Sequence, residues 1–451
     1  MPSCAAVVLA AGAGTRMRSA LPKVLHPLAG RPMLEYPLAA LKKAGASRLV
    51  AVVGHGAEAV KRALPAGVDW APQEKPRGTG HALACARAAL GSFRGTLLVA
   101  GGDGPLLRAA TLKALLRAHR ARRHAATVLA AVPDDPSGYG RVLRDPRGGL
   151  AAIVEEREAS PAQRALREVN AGVYCFESPL IWKALSALKP DNSKGEYYLT
   201  DVLAWLKAQG HSCGVQACPD PQEALGVNNR VELARAEAIL RGRVNRRWME
   251  AGVTLVDPSS TYIDDTVFIG ADTVVRPFTF LEGNTRVGPR CQIGPFTEVR
   301  DSVVGPECRV LRSVVEGSRL AAGARVGPWS RLRPGTVVGR DAHLGNFCEF
   351  KNARLGPGVK ANHLSYLGDA TVGGGSNIGA GTITANYDGK AKHPTRLGRS
   401  SFTGSGTVLV APVNMGNRAR TGAGAVVLAG RDLPDGSLAV GVPARILKKR
   451  S

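Results

Sequence analysis

An aliphatic residue followed by glycine keeps returning between Ile269 and Gly416, and this recurrence constrains the fold more than any other feature. Among the pairs are Ile269-Gly270, Val287-Gly288, Ile293-Gly294, Val326-Gly327, Val338-Gly339, Leu344-Gly345, Val372-Gly373, Ile378-Gly379, Leu397-Gly398 and Met415-Gly416. Six of the nine gaps between successive aliphatics (18, 6, 12, 6, 6 and 18) are multiples of six. A period of six is too long for a helix face and too regular for loops. It fits a β-solenoid in which each short strand sends one aliphatic inward and then turns at a small residue. Glycine suits turns that need positive φ or the close approach of the next coil. The remaining gaps of 33, 28 and 19 slip phase. They predict loops extruded near Cys308–Ala322, Asn346–Ala370 and Tyr387–Thr395.

At 451 residues the chain exceeds what one core supports, so two domains are expected. No apolar run approaches the roughly 20 residues that span a bilayer. Ala5–Ala11 lacks a basic flank and runs into a glycine loop, so it reads as a buried first strand rather than a leader. The eight cysteines are scattered without zinc spacing, which predicts free thiols and a cytoplasmic setting. A net charge of +24 raises the question of nucleic acid. Aromatics are only 5% and do not interleave with basic residues, so the charge is read as serving polyanionic small substrates, with sequence-independent nucleic-acid binding confined to low salt.

Residues 1–227 alternate strand-like and helix-like segments. Strands are predicted at Ala5–Ala10, Arg48–Val53, Thr96–Ala100 and Thr127–Ala131, and helices at Met33–Ala44, His81–Ala89 and Thr111–His124. The pattern is that of a mostly parallel sheet covered by helices, whose ligands sit beyond the carboxyl ends of the strands. Three loops stand there. Leu9-Ala10-Ala11-Gly12, continuing through Arg16 to Lys23, fails both as GxGxxG and as a Walker loop. It keeps small residues whose N–H groups can approach phosphates; a tight strand–helix turn is the plain alternative. Gln73, with Gly78 and Thr79, offers a planar donor and acceptor for a pyrimidine edge, or a solvated turn. Gly101-Gly102-Asp103 sets a carboxylate after an apolar strand, either as a Mg²⁺ ligand or as a helix cap. Gly140, Glu155, Asn170 and Asn228 follow in well-spaced polar motifs.

Residues 228–252 read as one linker helix with a basic second half, most simply a solvated face. In the solenoid, chemistry-bearing residues gather from Arg333 onward: Glu349, Lys351, His363, Tyr366, Asn377, Asn386 and Tyr387. A lone histidine is more often structural than catalytic, but His363 falls in a phase slip, near arginine, lysine and tyrosine.

Taken together and in order, these motifs resemble the bacterial bifunctional N-acetylglucosamine-1-phosphate uridylyltransferase/glucosamine-1-phosphate acetyltransferase family over nearly the whole chain. The resemblance implies an α/β Rossmann-like nucleotidyltransferase domain (1–227), the linker helix, and a left-handed parallel β-helix of hexapeptide repeats (253–451) that forms a homotrimer with acetyl sites between subunits. It implies acetylation of glucosamine-1-phosphate by acetyl-CoA, then uridylyl transfer from UTP to N-acetylglucosamine-1-phosphate, giving a cell-envelope precursor. Leu9, Ala10, Ala11, Gly12 and Lys23 would then meet the nucleotide phosphates, and Gln73, Gly78 and Thr79 the uracil. Gly101, Gly102 and Asp103 would complete that site, with Asp103 and Asn228 holding Mg²⁺ and Gly140, Glu155 and Asn170 the sugar. In the solenoid His363 would be the general base and Glu349 its orienting partner. Arg333, Lys351, Tyr366 and Asn377 would bind glucosamine-1-phosphate, and Ala380, Asn386, Tyr387, Ser405 and Ala423 acetyl-CoA.

The chain departs from the family pattern at Gly101 and Gly104, where bulkier residues are usual, and at Asn352, where a second lysine is common. Near Val440, Arg445, Lys448, Lys449 and Arg450 are the basic residues available to coenzyme A phosphates. A sugar nucleotidyltransferase of other specificity, its solenoid serving only assembly, is the rival reading.

Overall fold

In a computed structural model, residues 3–190 and 195–447 are described. The chain divides into two compact units, Met1–Leu240 and Arg241–Ser451. Each has its own core.

The first unit is built on one mixed sheet. Its main strands lie in the order Cys213–Ala217, Ala126–Ala131, Val169–Glu177, Thr96–Gly101, Cys4–Ala10, Arg48–Val53 and Asp69–Pro72. All run parallel except Val169–Glu177, which is antiparallel to both neighbours. That strand and the hairpin Arg141–Arg144/Leu150–Val154 were not legible as strands, because polar residues interrupt their alternation. Along Cys4–Ala10, Ala6, Val8 and Ala10 enter one core cluster while Ala5 and Val7 enter another. Both faces of the sheet are therefore covered, as its near-continuous apolar strands require. The helices begin and end slightly differently from expectation: Glu35–Ala44, Ala109–Ala121, and a broken pair, Thr79–Cys85 and Arg87–Leu90.

Helix Arg230–Glu250 belongs to both units in sequence. Ala236 and Leu240 pack with Leu28, Met33 and Leu106 of the first unit. Val244 and Trp248 join the core of the second. Its basic second half is not simply a solvated face. Arg247 pairs with Asp265 at 2.9 Å, and Arg241 lies 4.3 Å from the centre of the Tyr262 ring.

The second unit is a parallel β-helix whose strands form three long sheets of eight, ten and nine strands. The inward aliphatics Ile269, Val287, Val304, Leu320, Val338, Leu355 and Val372 are at most 3% exposed. At one corner Gly404 is obligatory, because a Cβ there would stand 2.6 Å from the Ala423 nitrogen of the next coil.

Two of the three anticipated loops are absent. Between Cys308 and Ala322 regular strands continue (Arg309–Val310, Val314–Glu316, Arg319–Leu320), and likewise between Asn346 and Ala370. Register shows why: Val303 pairs with Arg319, and His343 with Lys360. These coils are one or two residues short of eighteen, so the slips are deletions at corners. A gap in a repeat does not distinguish shortening from insertion. The third slip is a true insertion. Thr371 pairs with Arg396, and the extra residues form a small hairpin bridged at Tyr387 and Lys392.

Candidate active sites

At the carboxyl ends of strands Cys4–Ala10 and Thr96–Gly101 lies a cavity of about 430 Å³. Leu9, Ala10, Ala11, Gly12, Lys23, Gln73, Gly78, Thr79, Gly101 and Asp103 all line it. The Cβ of Lys23 stands 2.6 Å from where a Cβ at Gly14 would be; Gly14 holds φ +60° and lets that stem cross the loop. Nothing lies within 4 Å of a Cβ built on Gly12, so the loop is open toward a ligand there.

Gln73 is 7% exposed, and its amide nitrogen is already engaged by the Gly78 carbonyl (3.1 Å) and His81 Nδ1 (2.9 Å). Of the donor and acceptor expected for a base edge, only the carbonyl oxygen has no hydrogen bond among the described residues. The wall beside Gln73 has a second stretch of chain that sequence order concealed. Gly80 N–H donates to the Tyr197 carbonyl at 2.8 Å, Tyr197 N–H to the Arg77 carbonyl at 2.8 Å, and Leu199 N–H to Thr79 Oγ1 at 3.0 Å. This brings Glu196, Tyr198 and Leu199 into the cavity. The local signal was Glu-Tyr-Tyr-Leu after Gly195, an aromatic cluster in a chain poor in aromatics.

Lys23 Nζ lies 2.5 Å from Asp103 Oδ2 and 3.2 Å from Asn228 Oδ1. Two oxygens from distant parts of the chain thus converge on one cation. One carboxylate and one amide carbonyl form a donor set suited to Mg²⁺, which takes one or two protein oxygens and completes its shell with phosphates and water. Among the described residues no group of three or more His, Cys, Asp or Glu is placed to hold a metal. A Cβ on Gly101 would stand 2.5 Å from Asp103 Oδ1, whereas one on Gly104 would meet nothing closer than 3.8 Å. Of the two departures beside the aspartate, Gly101 is therefore the one its carboxylate uses.

Gly102 does not line the cavity; it packs beneath it, and a Cβ there would sit 3.0 Å from Leu34. Gly140, Glu155 and Asn170 sit beside the rim. Asn170 N–H donates to the Gly140 carbonyl at 2.9 Å. A Cβ on Gly140 would come 3.5 Å from Glu155 Oε1. The Asn170 amide nitrogen reaches the Tyr174 hydroxyl at 2.6 Å, and its Oδ1 accepts from Gly172 N–H at 3.0 Å. Tyr174 and Gly172 line the cavity and were not singled out as ligands from sequence.

In the solenoid, one corner carries a column of its own. Asn346 is in register with His363. Gly381 N–H then donates to the His363 carbonyl, Gly406 N–H to Ala380 and Gly424 N–H to Ser405. Asn346, His363, Ala380, Ser405 and Ala423 are accordingly stacked at one position of successive coils. The residue that follows each is held at positive φ: Phe347, Leu364, Gly381, Gly406 and Gly424. The corner is bulky up to the His363 coil and stripped to glycine beyond it. That leaves a shallow small-residue track starting at the histidine.

On the flat side beyond that corner, Glu349 does not meet the His363 ring as expected. Its carboxylate is paired with Arg333 at 3.0 Å, because Arg331 and Glu349 are in parallel register and Arg333 lies on the same outward row. The His363 imidazole makes no hydrogen bond among the described residues.

Lys351 is joined by a cation that sequence reading missed, Lys392 of the inserted hairpin. The Lys351 ammonium is held below its ordinary pKa by Lys392 beside it, then by loss of water and by Arg333. Asn352, where a second lysine was expected, instead donates to Asp369 at 2.8 Å. Asp369 also accepts from Asn386 at 2.6 Å. Asn386 is 6% exposed, so its side chain is tied inside the coil while Tyr387 is open. Tyr366 folds its hydroxyl over Gly368. Asn377 is in register with Lys360 and is half-buried. Lys448, Lys449 and Arg450 lie outside the described residues; Arg445 lies in strand Arg445–Ile446.

Comparison with known proteins shows the family. A family described as "MobA-like NTP transferase domain" matches residues 6–205. "Bifunctional protein GlmU" of Heliobacterium modesticaldum is 48% identical over 435 residues, covering 96% of this chain and 94% of its own length. The protein of the same name from Pelobacter propionicus is 48% identical over 443 residues, covering 98% and 96%. That from Anaeromyxobacter dehalogenans is 49% identical over 415 residues, covering 91% and 85%. With identity at this level along nearly the full length, the chain belongs to the GlmU family of bifunctional acetyl- and uridylyltransferases.

Proposed function

We propose that the two reactions of UDP-N-acetylglucosamine synthesis are divided between the two sites just described. The observation that carries this is the pairing of a strand-end cavity built around Lys23, Asp103 and Asn228 with a histidine-headed small-residue track on the β-helix.

In the first unit, a phosphate oxygen of N-acetylglucosamine-1-phosphate attacks the α-phosphorus of UTP and pyrophosphate leaves. No covalent enzyme intermediate is needed, so positioning and charge neutralisation supply the catalysis. The N–H groups of Ala10–Gly12 and the Lys23 ammonium hold the triphosphate. Gln73, Gly78 and Thr79 hold the base, and Gly140, Glu155 and Asn170 the sugar. Asp103 and Asn228 would hold Mg²⁺, which would neutralise phosphate charge.

In the second unit, His363 takes a proton from the glucosamine amine as it attacks the thioester carbonyl of acetyl-CoA, and coenzyme A leaves as its thiolate. Arg333, Lys351 and Lys392 form the cluster that receives the sugar phosphate. Tyr366 and Asn377 contact the sugar. Ala380, Ser405 and Ala423 leave room for the pantetheine arm, and Tyr387 flanks it.

The working form is read as a homotrimer in the cytoplasm. Its support is the exposed apolar corner at Phe278, Phe296, Trp329, Phe347 and Leu364, whose exposures run from 50 to 63%. All eight cysteines are free thiols, and among the described residues no helix is long and apolar enough to cross a membrane.

A separation-of-function experiment tests the division. Asp103→Asn is expected to abolish pyrophosphate release and leave acetyl transfer intact. His363→Ala is expected to slow acetyl transfer by roughly two orders of magnitude or more and leave uridylyl transfer unchanged. Loss of both activities in either variant, or near-normal acetylation without His363, sinks the assignment.

A further inference from the structure

The outward positions of one flat side of the β-helix carry a column of like charge. Arg309 is in parallel register with Arg325, Arg325 with His343, and His343 with Lys360. Neighbouring parallel strands lie about 4.8 Å apart, so these side chains are stacked one upon the next. Like charges set directly opposite one another across a sheet are destabilising. Arg309, Arg325 and Lys360 have no ion pair among the described residues. Glu307, two residues before Arg309, is taken up by Arg290 at 2.7 Å. Asp341, two residues before His343, is turned against Gly323 of the preceding coil. The His343 ring registers the field around it: burial first, and then Arg325, Lys360 and His363, push its pKa below the ordinary histidine value.

The column leads somewhere. At one end a hollow of about 350 Å³ is lined by Arg276, Arg309 and Arg312 with Pro295, Leu311 and Pro328, and by no acidic residue. At the other end, Lys360 is in register with Asn377, and the strand that bears Lys360 ends at His363.

We propose that this column is a cationic track that concentrates the phosphate-bearing substrates of the acetyl-transfer site, the sugar phosphate and the acyl-coenzyme A, and feeds them toward His363. The inference rests on the assignment of acetyl transfer to that site. A row of cations on a low-dielectric surface raises the local concentration and arrival rate of anions, with an effect that falls steeply as salt is added. Arg309 and Arg325 touch no reacting atom in this scheme. They act through the field, which also gives a reason for a like-charged column to be kept.

The test is steady-state acetylation by the full-length protein, followed by thiol release, with each substrate varied in turn. Wild type, Arg309→Gln/Arg325→Gln and Arg309→Lys/Arg325→Lys are compared at ionic strengths of about 0.01 M and about 1 M, where the Debye length is roughly 30 Å and roughly 3 Å. At low ionic strength the glutamine pair is expected to lower kcat/KM by roughly tenfold for at least one substrate, through KM, while the lysine pair keeps the wild-type value. At high ionic strength the three proteins should coincide, with kcat and uridylyl transfer unchanged throughout. Three results overturn the proposal: no loss in the glutamine pair at low salt, a loss that persists undiminished at high salt, or a lysine pair that fails as badly as the glutamine pair. A wild-type protein that acetylates under neither condition refutes instead the assignment of acetyl transfer to the solenoid, so the two failures are told apart.

Discussion

At the residue scale, the departure at Gly101 has a physical meaning that the bare motif lacked. The Asp103 carboxylate folds back into the space that a side chain at 101 would fill, and there it meets Lys23. In Gly101→Ala the added methyl must push that carboxylate aside. Misplacing a reacting geometry by about 1 Å costs on the order of a hundredfold, so uridylyl kcat/KM should drop by roughly ten- to a hundredfold while acetylation is untouched. Unchanged uridylyl transfer in this variant would remove Gly101 from any positioning role. Individual residues were also where sequence reading was weakest. Asp103, Lys23 and Gln73 were legible as cavity-lining residues because they stand in loops beyond strand ends, where ligands sit by topology. Glu196, Tyr198 and Lys392 were missed, because the segments they face lie far away in the chain. Glu349 was placed beside His363, whereas its carboxylate meets Arg333 across a coil step of eighteen residues, Arg331 to Glu349, and no local pattern reveals which neighbouring coil a side chain leans toward.

Among the elements, the β-helix was the most legible and the insertions in it the least. An inward aliphatic must recur whatever the corners do, so the period survives in the sequence. Shortened corners and lengthened ones leave the same kind of break. The mixed sheet shows the converse: its parallel strands announce themselves by apolar runs, whereas the antiparallel strand Val169–Glu177 is exposed at Gly172 and half-buried at Asn170. The glycine corner carries a prediction of its own. In Gly404→Ala the new methyl would press on the backbone of the next coil, and overpacking of this kind costs about 1–3 kcal/mol. Thermal unfolding should show a lowered midpoint for the second unit. Acetyl transfer should weaken chiefly through the KM for acetyl-CoA, since the same methyl narrows the track. An unshifted midpoint would mean that the coils can part there freely.

For the molecule as a whole, each unit has a separate core and a separate set of polar groups, which is why two unrelated chemistries can coexist in one chain. Assembly is a different matter. Large apolar side chains held at positive φ on an exposed corner are strained and wet at once, and burial against another copy would relieve the second cost. Sedimentation equilibrium is therefore expected to give the mass of three chains. Trp329→Ser combined with Phe347→Ser should shift the distribution toward lighter species and depress acetylation while leaving uridylyl transfer in place. A monomeric wild type would contradict this reading of the corner.

The coils lose one or two residues at some corners and gain a hairpin at another, yet every inward rung is filled, by an apolar side chain in most coils and by Thr384, Thr403 or Thr421 in the rest. Length is thus uncoupled from core registry: loops can grow or shrink at a vertex of the triangle with no adjustment inside it. Lys392 came to stand beside Lys351 by that route, and the same vertices are where new reactive groups could be grafted onto this scaffold without disturbing its interior.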